Sequence, residues 1–231
     1  MGARTLKVGR RRADPLSVSP STITAPVLRM CEHEVSGPPS TSTLLRAGTR
    51  EAHAAGEAAF ALSSRLTSRA AYAELLLNLE GFYGPLEAAL AAVPGWYQLT
   101  PALDVRARGR AALLGDDLRH LGIVAGERPV APTPALPSLA HGLGCLYVLE
   151  GSALGGRIVA RRARHILGDN LPVAFFSSEG RDDLGADWRA LQASLDAFGA
   201  GRPVEQQAAV TCARATFTAL SAWLESSTVP P

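Results

Sequence analysis

The sequence predicts an all-α fold, a single-domain helical bundle, on three observations. From Ser42 onward the chain is dominated by Ala, Leu, Arg and Glu, all strong helix formers. β-Branched residues are sparse, and no alternation of apolar and polar residues lasts long enough for a half-buried strand. The chain has 231 residues, 47% of them hydrophobic and 19% charged, which suits one domain with a sizeable core.

Residues 1–41 stand apart as a tail. Pro15, Pro20, Pro26, Pro38 and Pro39 lie among Ser, Thr and Arg without sustained periodicity. The tail reads as a disordered or spurious N-terminal extension, with Met30 as an alternative start and an organelle transit peptide as the weaker reading. Residues 42–231 form the domain. Its first helix is predicted from Ser42 or Thr43 to about Leu66. The second runs from Ser68 or Arg69 to Ala92 and stops at Val93-Pro94-Gly95. Asp104 opens a third, which ends at His120 before Gly122. The stretch holding Pro129, Pro132, Pro134 and Pro137 is too proline-dense for helix. Ser138 caps a fourth helix that ends at Leu167 before Gly168, a fifth covers about Asp182 to Phe198, and Pro203 opens a sixth that closes near Glu225.

Charge and cysteine content narrow the function. Residues 1–40 hold six basic and three acidic residues, whereas the remaining 191 hold 17 basic and 18 acidic. A body so near neutrality argues against nucleic-acid binding. Cys31, Cys145 and Cys212 are too few and too scattered for a disulfide framework or zinc site, and fit free thiols in a reducing cytoplasm. His33 beside Cys31 has no second pair to complete a metal site. No segment reads as a membrane span or a secretory signal, so the expected location is cytoplasmic.

Two helices make poor sense as plain core helices. The fourth carries Gly142, Gly144, Gly151, Gly155 and Gly156, and each interior glycine costs about 1 kcal/mol relative to alanine. Two readings compete: close helix–helix packing through small residues, or a helix bent over a flat ligand. Phosphate-loop, nucleophile-elbow and dinucleotide readings fail. Arg157-Ile158 follows the last glycine, Gly151 directly precedes Ser152, and Tyr147 stands where a third fingerprint glycine belongs. In the first helix Arg46, Arg50, His53, Glu57 and Phe60 share one face. His53 has Ala54, Ala55, Gly56 and Ala59 around it, leaving room for a broad planar ligand whose edge carboxylates Arg46 and Arg50 would meet. A lone surface histidine is the plainer alternative.

Together these segments resemble the heme oxygenase family. Thr49-Arg50-Glu51-Ala52-His53 is similar to that family's proximal-helix motif, and Tyr147-Val148-Leu149-Glu150-Gly151-Ser152-Ala153-Leu154-Gly155-Gly156 to its distal-helix motif, in the flavour of bacterial members paired with phytochromes. The resemblance covers roughly residues 42–225. It implies a heme oxygenase-like bundle that cleaves heme, at once substrate and cofactor, with O2 and an external electron donor, giving biliverdin, carbon monoxide and ferrous iron. His53 is then the axial iron ligand. Gly151, Ser152, Gly155 and Gly156 line the distal face as the catalytic set. Arg46, Arg50, Tyr147 and Phe217 contact the porphyrin and its propionates. Many members carry Asp where this chain has Ser152, and Ser152 is expected to hold the proton-delivering water in its place. Implied partners are a reductase or ferredoxin, for which Arg157, Arg161, Arg162 and Arg164 offer a basic docking patch, and a biliverdin-using phytochrome. The competing expectations are a non-catalytic heme carrier of the same fold, a helical interaction protein, and a thiaminase-type enzyme built on Cys145.

Overall fold

A run of apolar side chains at helical spacing between Leu75 and Leu90 gives the chain its central helix, α4 (Arg69–Ala92), around which the others assemble. The computed structural model describes residues 38–124 and 129–226, and the readings placed on residues 1–37, Cys31 and His33 included, lie outside them. In chain order the elements are α1 (Thr41–Gly48), α2 (Arg50–Phe60), α3 (Leu62–Arg65), α4, α5 (Ala111–His120), α6 (Leu139–Leu167), α7 (Ala174–Ser177), α8 (Leu184–Gly199) and α9 (Pro203–Ser226). A single 3-10 turn covers Trp96–Gln98, and no strand occurs among the described residues, as an all-α fold requires.

Pro85 sits inside α4 without ending it. A proline there cannot donate to the carbonyl of Gly81, and Ala131 N–H donates to that carbonyl instead, at 2.9 Å. Gly81 is what admits the visiting connector, since a Cβ on it would stand 2.8 Å from the Pro129 carbonyl. The proline-dense connector is thus stitched to the middle of the central helix.

Several predicted boundaries shift, each for a local reason. The expected first helix is three. Thr49 turns its hydroxyl back onto the Leu45 carbonyl at 2.8 Å and separates α1 from α2, and Ala61 ends α2 in the left-handed region at φ 41°. The third predicted helix starts at Ala111 rather than Asp104. The Asp104 carboxylate is used in a tight turn, accepting from Arg106 N–H at 3.0 Å and Ala107 N–H at 3.1 Å. The true cap of α5 comes from α4: Glu87 accepts from Arg110 N–H and Ala111 N–H, both at 2.9 Å. Ser138 precedes α6 but bonds His141 Nδ1 at 2.8 Å, not a backbone amide. α7 was not expected. It forms because the buried Asp117 carboxylate accepts from Ala174 N–H and Phe175 N–H, at 2.8 and 3.0 Å, while Phe175 and Phe176 enter the core.

α6 is also long and apolar enough to cross a membrane by length and composition, which corrects the expectation that no segment is. It lies instead through the interior, with Leu143, Cys145, Leu146, Val148 and Leu149 buried. Its main partner is α9. At Gly144 the seam is so close that any Cβ would overlap the Ala209 carbonyl. Gly144→Ala is therefore expected to lower stability by about 2 kcal/mol or more, read as a reduced urea midpoint at constant slope.

Candidate functional site

α2 owes its position to α9. No α2 residue is buried, and apart from its chain neighbour α1 its principal partner is α9. Phe217 of α9 meets the His53 imidazole edge-on, ring centroids 5.4 Å apart at 76°. Gly56 also faces α9, where a Cβ would lie in ordinary contact with the Phe217 ring at 3.5 Å. The His53 side chain stays 56% exposed, with Glu57 Oε1 3.8 Å from Nδ1. Ala54 and Ala55 beside it are exposed as well. An imidazole is thus fixed from behind and open in front.

The five glycines of α6 divide into two groups. Gly142 faces Trp96 and Val93, Gly144 faces the Ala209 carbonyl and Gly156 faces the Phe176 carbonyl, each with too little room for a Cβ. These three are packing glycines. At Gly151 a Cβ would meet only Trp188 at ordinary contact, 3.8 Å, and at Gly155 nothing within 4 Å. Gly151 and Gly155 lie on one helix face with Leu154 and the 62%-exposed Ile158. That face carries apolar side chains and bare backbone, exposed at Leu154, Gly155 and Ile158 and bordered by Trp188 of α8 at Gly151.

α2 and α6 are linked near both ends, at one of them through α7. At the start of α2, the Tyr147 phenol of α6 is raised in pKa by burial, opposed by a hydrogen bond to Thr49 and by the charge of Arg46. At its end, Phe60 packs edge-on against Phe176 at 6.2 Å, and the Phe176 backbone lies on Gly156. Between these bridges stand His53 to Gly56 on one helix and Gly151 to Gly155 on the other. Each intervening stretch spans about 15 Å at 1.5 Å per residue. Both helices pack on α9, and the space between their middles is the candidate slot.

Behind the slot lies a polar layer that the sequence reading missed. Arg110 is 2% exposed. Its Nη2 donates to the Leu149 carbonyl at 3.0 Å and to Ser152 Oγ at 2.8 Å, and its guanidinium lies over the rings of Phe175 and Tyr83. Ser152 Oγ is also 2.8 Å from the Tyr83 hydroxyl and donates to the Leu149 carbonyl at 2.7 Å. One residue before Gly151, the 3%-exposed Glu150 receives Arg108 at 3.0 Å and Arg181 at 2.7 Å, and Arg181 also grips Asp187. Burial pushes the Glu87 carboxyl above the usual range, against the pull of its two backbone donors. Nothing in the spacing of Tyr83, Arg108 and Arg110 marked them. Only the unusual Arg-Gly-Arg run beside an otherwise apolar domain offered a hint.

With this geometry in hand, comparison with known proteins is informative. No family model matches the chain. A heme oxygenase from Xanthomonas campestris pv. campestris (strain 8004) is 42% identical over 91 residues, 38% of this chain and 52% of that relative. The chain thus spans about half the length of the curated relative it matches. Among solved structures, the NO- and CO-bound heme oxygenase of Neisseria meningitidis superposes with TM-score 0.67 at 21% identity, covering 82% of this chain and 92% of that one. The heme oxygenase of Leptospira interrogans gives 0.64 at 20% identity, covering 81% and 100%. Heme oxygenase 2 of Chlamydomonas reinhardtii, solved without heme, gives 0.65 at 21%, covering 83% and 99%. The fold is that of the heme oxygenases. The resemblance drawn from the two helix motifs therefore holds for the family's fold as well as for the sequence.

Within this heme oxygenase fold the expected site residues fall in different places. His53 and Phe217 are in contact, and Arg46 acts on Tyr147. Gly151 and Gly155 lie on the open face. Gly156 is turned to Phe176, and Ser152 to Arg110 and Tyr83. Arg50 is exposed on α2. Cys145 and Cys212 are buried, and burial raises both thiols, Cys212 to about 11, so neither is a nucleophile in waiting.

Two outcomes test this layout. Gly155→Ala has open space and gains helix propensity, so unligated protein is expected to be stabilised by up to about 1 kcal/mol, measured by urea denaturation. The Glu87 contribution to stability is full below the ordinary glutamate range and declines as pH rises through its raised folded pKa. Glu87→Gln is expected to flatten that decline when denaturation midpoints are compared between about pH 4 and about pH 8.

Proposed function

We propose that this chain is a heme oxygenase: it binds heme in the slot between α2 and α6 and cleaves it to biliverdin, carbon monoxide and ferrous iron, using dioxygen and electrons from an external donor. What supports the reading is an exposed imidazole at His53, backed by Phe217, on one helix, and on the other a backbone left open at Gly155 and bordered only by Trp188 at Gly151. Packing explains neither feature. A flat ligand explains both, because its faces need one axial donor and one smooth wall.

The residues present fit such a group. Among the described residues no cluster of three or more His, Cys, Asp or Glu side chains could hold a bare metal ion. A single histidine suffices only for a metal that brings its own equatorial ligands, as heme iron does. His53 would hold the iron from below, and Leu154 and Ile158 would give the macrocycle apolar contact. Arg46 and Arg50 would face its propionates, with Tyr147 beside them. Heme itself supplies the dioxygen chemistry once reduced. The protein's part would be to orient the ring and keep water from its face.

The external donor is proposed to be a reductase or ferredoxin meeting the exposed Arg157, Arg161, Arg162 and Arg164. A phytochrome would take up the product. A heme carrier of the same fold would share the binding half of this reading and lack turnover.

One titration separates these readings. Purified protein is mixed with hemin, and ascorbate or a reductase system is then added in air. A histidine-type Soret band that decays to a green product is expected. A stable band marks a carrier, and no band removes the heme reading altogether. His53→Ala is expected to lose the axial bond and at least about tenfold in turnover, and a variant that turns over normally would refute the ligand assignment.

A further inference from the structure

We propose that the buried guanidinium of Arg110 positions the distal helix and sets the charge seen by the ligand face, and that the Ser152 hydroxyl is closed off from that face. This rests on the heme reading above. The sequence expectation gave Ser152 the task of holding a proton-delivering water, and the geometry points elsewhere.

A serine hydroxyl has one proton and two acceptor lone pairs. In Ser152 all three are occupied. Its proton goes to the Leu149 carbonyl at 2.7 Å, a group that can only accept. Arg110 Nη2, which can only donate, takes one lone pair at 2.8 Å. The remaining contact, Tyr83 at 2.8 Å, must then be a donation from the phenol to the serine. No capacity is left for a water. The position agrees: at about 100° per residue, Ser152 points about 100° from Gly151 and about 60° from Gly155, toward α4 and α5 rather than into the slot.

Arg110 is built to act where Ser152 is not. Its backbone is fixed by the Glu87 carboxylate, two bonds from which reach Arg110 N–H. Its side chain holds the Leu149 carbonyl, two residues before Gly151, and reaches the Phe175 carbonyl at 3.5 Å. A mid-helix carbonyl drawn aside by both Arg110 and Ser152 is a defined cause of helix bending, at the point where α6 must lie flat against a ligand. The Arg110 side chain has no carboxylate partner among its hydrogen bonds. Its charge rests on carbonyls and on the faces of Phe175 and Tyr83. The charged neighbours are Glu87, which interacts electrostatically with Arg110, and Glu150, which is held by Arg108 and Arg181, so the Arg110 charge is offset in part and not cancelled by an ion pair of its own.

The test uses the hemin complex of the full chain and reads the acid–alkaline transition of its ferric form by absorption. A cation behind the distal wall favours the hydroxide form, so Arg110→Met is expected to raise the midpoint by about 0.5 pH unit or more. Ser152→Ala is expected to leave it within about 0.2 unit. Arg110→Lys keeps the charge but loses the fork, so it should hold the midpoint near that of the parent while the bilin product becomes a mixture of isomers. A Ser152→Ala shift as large as that of Arg110→Met overturns the inference, because the hydroxyl would then touch the ligand-side water. So does an Arg110→Lys variant that gives one isomer at the parental rate. Should Arg110→Met fail to fold by thermal melt, the other two variants decide the matter. A parent protein without a Soret band removes the heme reading itself, a failure distinct from a normal hemin complex whose midpoint ignores Arg110.

Discussion

At Gly144 the backbone of α6 comes close enough to α9 for the Ala209 carbonyl to take the space of a side chain, and that approach fixes where α6 lies relative to every other helix. α9 also carries α2, through Phe217 and the gap in side-chain bulk at Gly56. Two helices can be held a ligand's thickness apart only when a third element holds both. If α2 and α6 packed directly on each other, the hydrophobic effect would close any slot between them. Here Tyr147 near Thr49 links them at one end, and Phe60 through Phe176 at the other. The candidate slot lies between these two links.

Buried charge supplies the second constraint. Arg110, Asp117, Glu87 and Glu150 are each placed so that their partners lie on different elements. Replacing such groups by apolar ones is often nearly neutral for stability, whereas removing one partner strands the other. Their value in this fold is registry. Glu150, gripped by Arg108 and Arg181, ties α6 to neighbouring elements, and Arg110 holds it at the Leu149 carbonyl. A helix free to roll by one residue would exchange Gly151 for Ser152 on the open face and end the site.

The helical character of the domain was legible because it depends on composition and period, and α4, α6 and α9 stand within a residue or two of their expected ends. The proximal and distal segments were legible because glycine inside a helix is a local contradiction that must be resolved by something. What could not be read was nonlocal. α7 exists because Asp117, more than fifty residues earlier, supplies its amide acceptors, and α5 begins where Glu87 of another helix caps it. Arg110 looks like any surface arginine in the sequence, and only the placement of Tyr83, Phe175 and Leu149 around it turns it into a buried cation. Of the two readings offered for the glycines, packing accounts for Gly142, Gly144 and Gly156. Gly151 and Gly155 are not needed for packing, and the ligand reading is proposed for them.

This division bears on why a serine can stand where a carboxylate is common in the resembling family. A carboxylate at position 152 would meet Arg110 directly and neutralise it within an ion pair. Serine accepts one hydrogen bond from the same guanidinium and leaves its charge in place. Glu87 interacts electrostatically with Arg110 but spends both oxygens on backbone amides rather than on hydrogen bonds to its side chain. In the role proposed for Arg110, Ser152 leaves part of that positive charge behind the distal wall, and polarity lost at the side chain is returned as charge one layer deeper. On this view the substitution moves the electrostatic task from residue 152 to residue 110 without opening the packed layer between them.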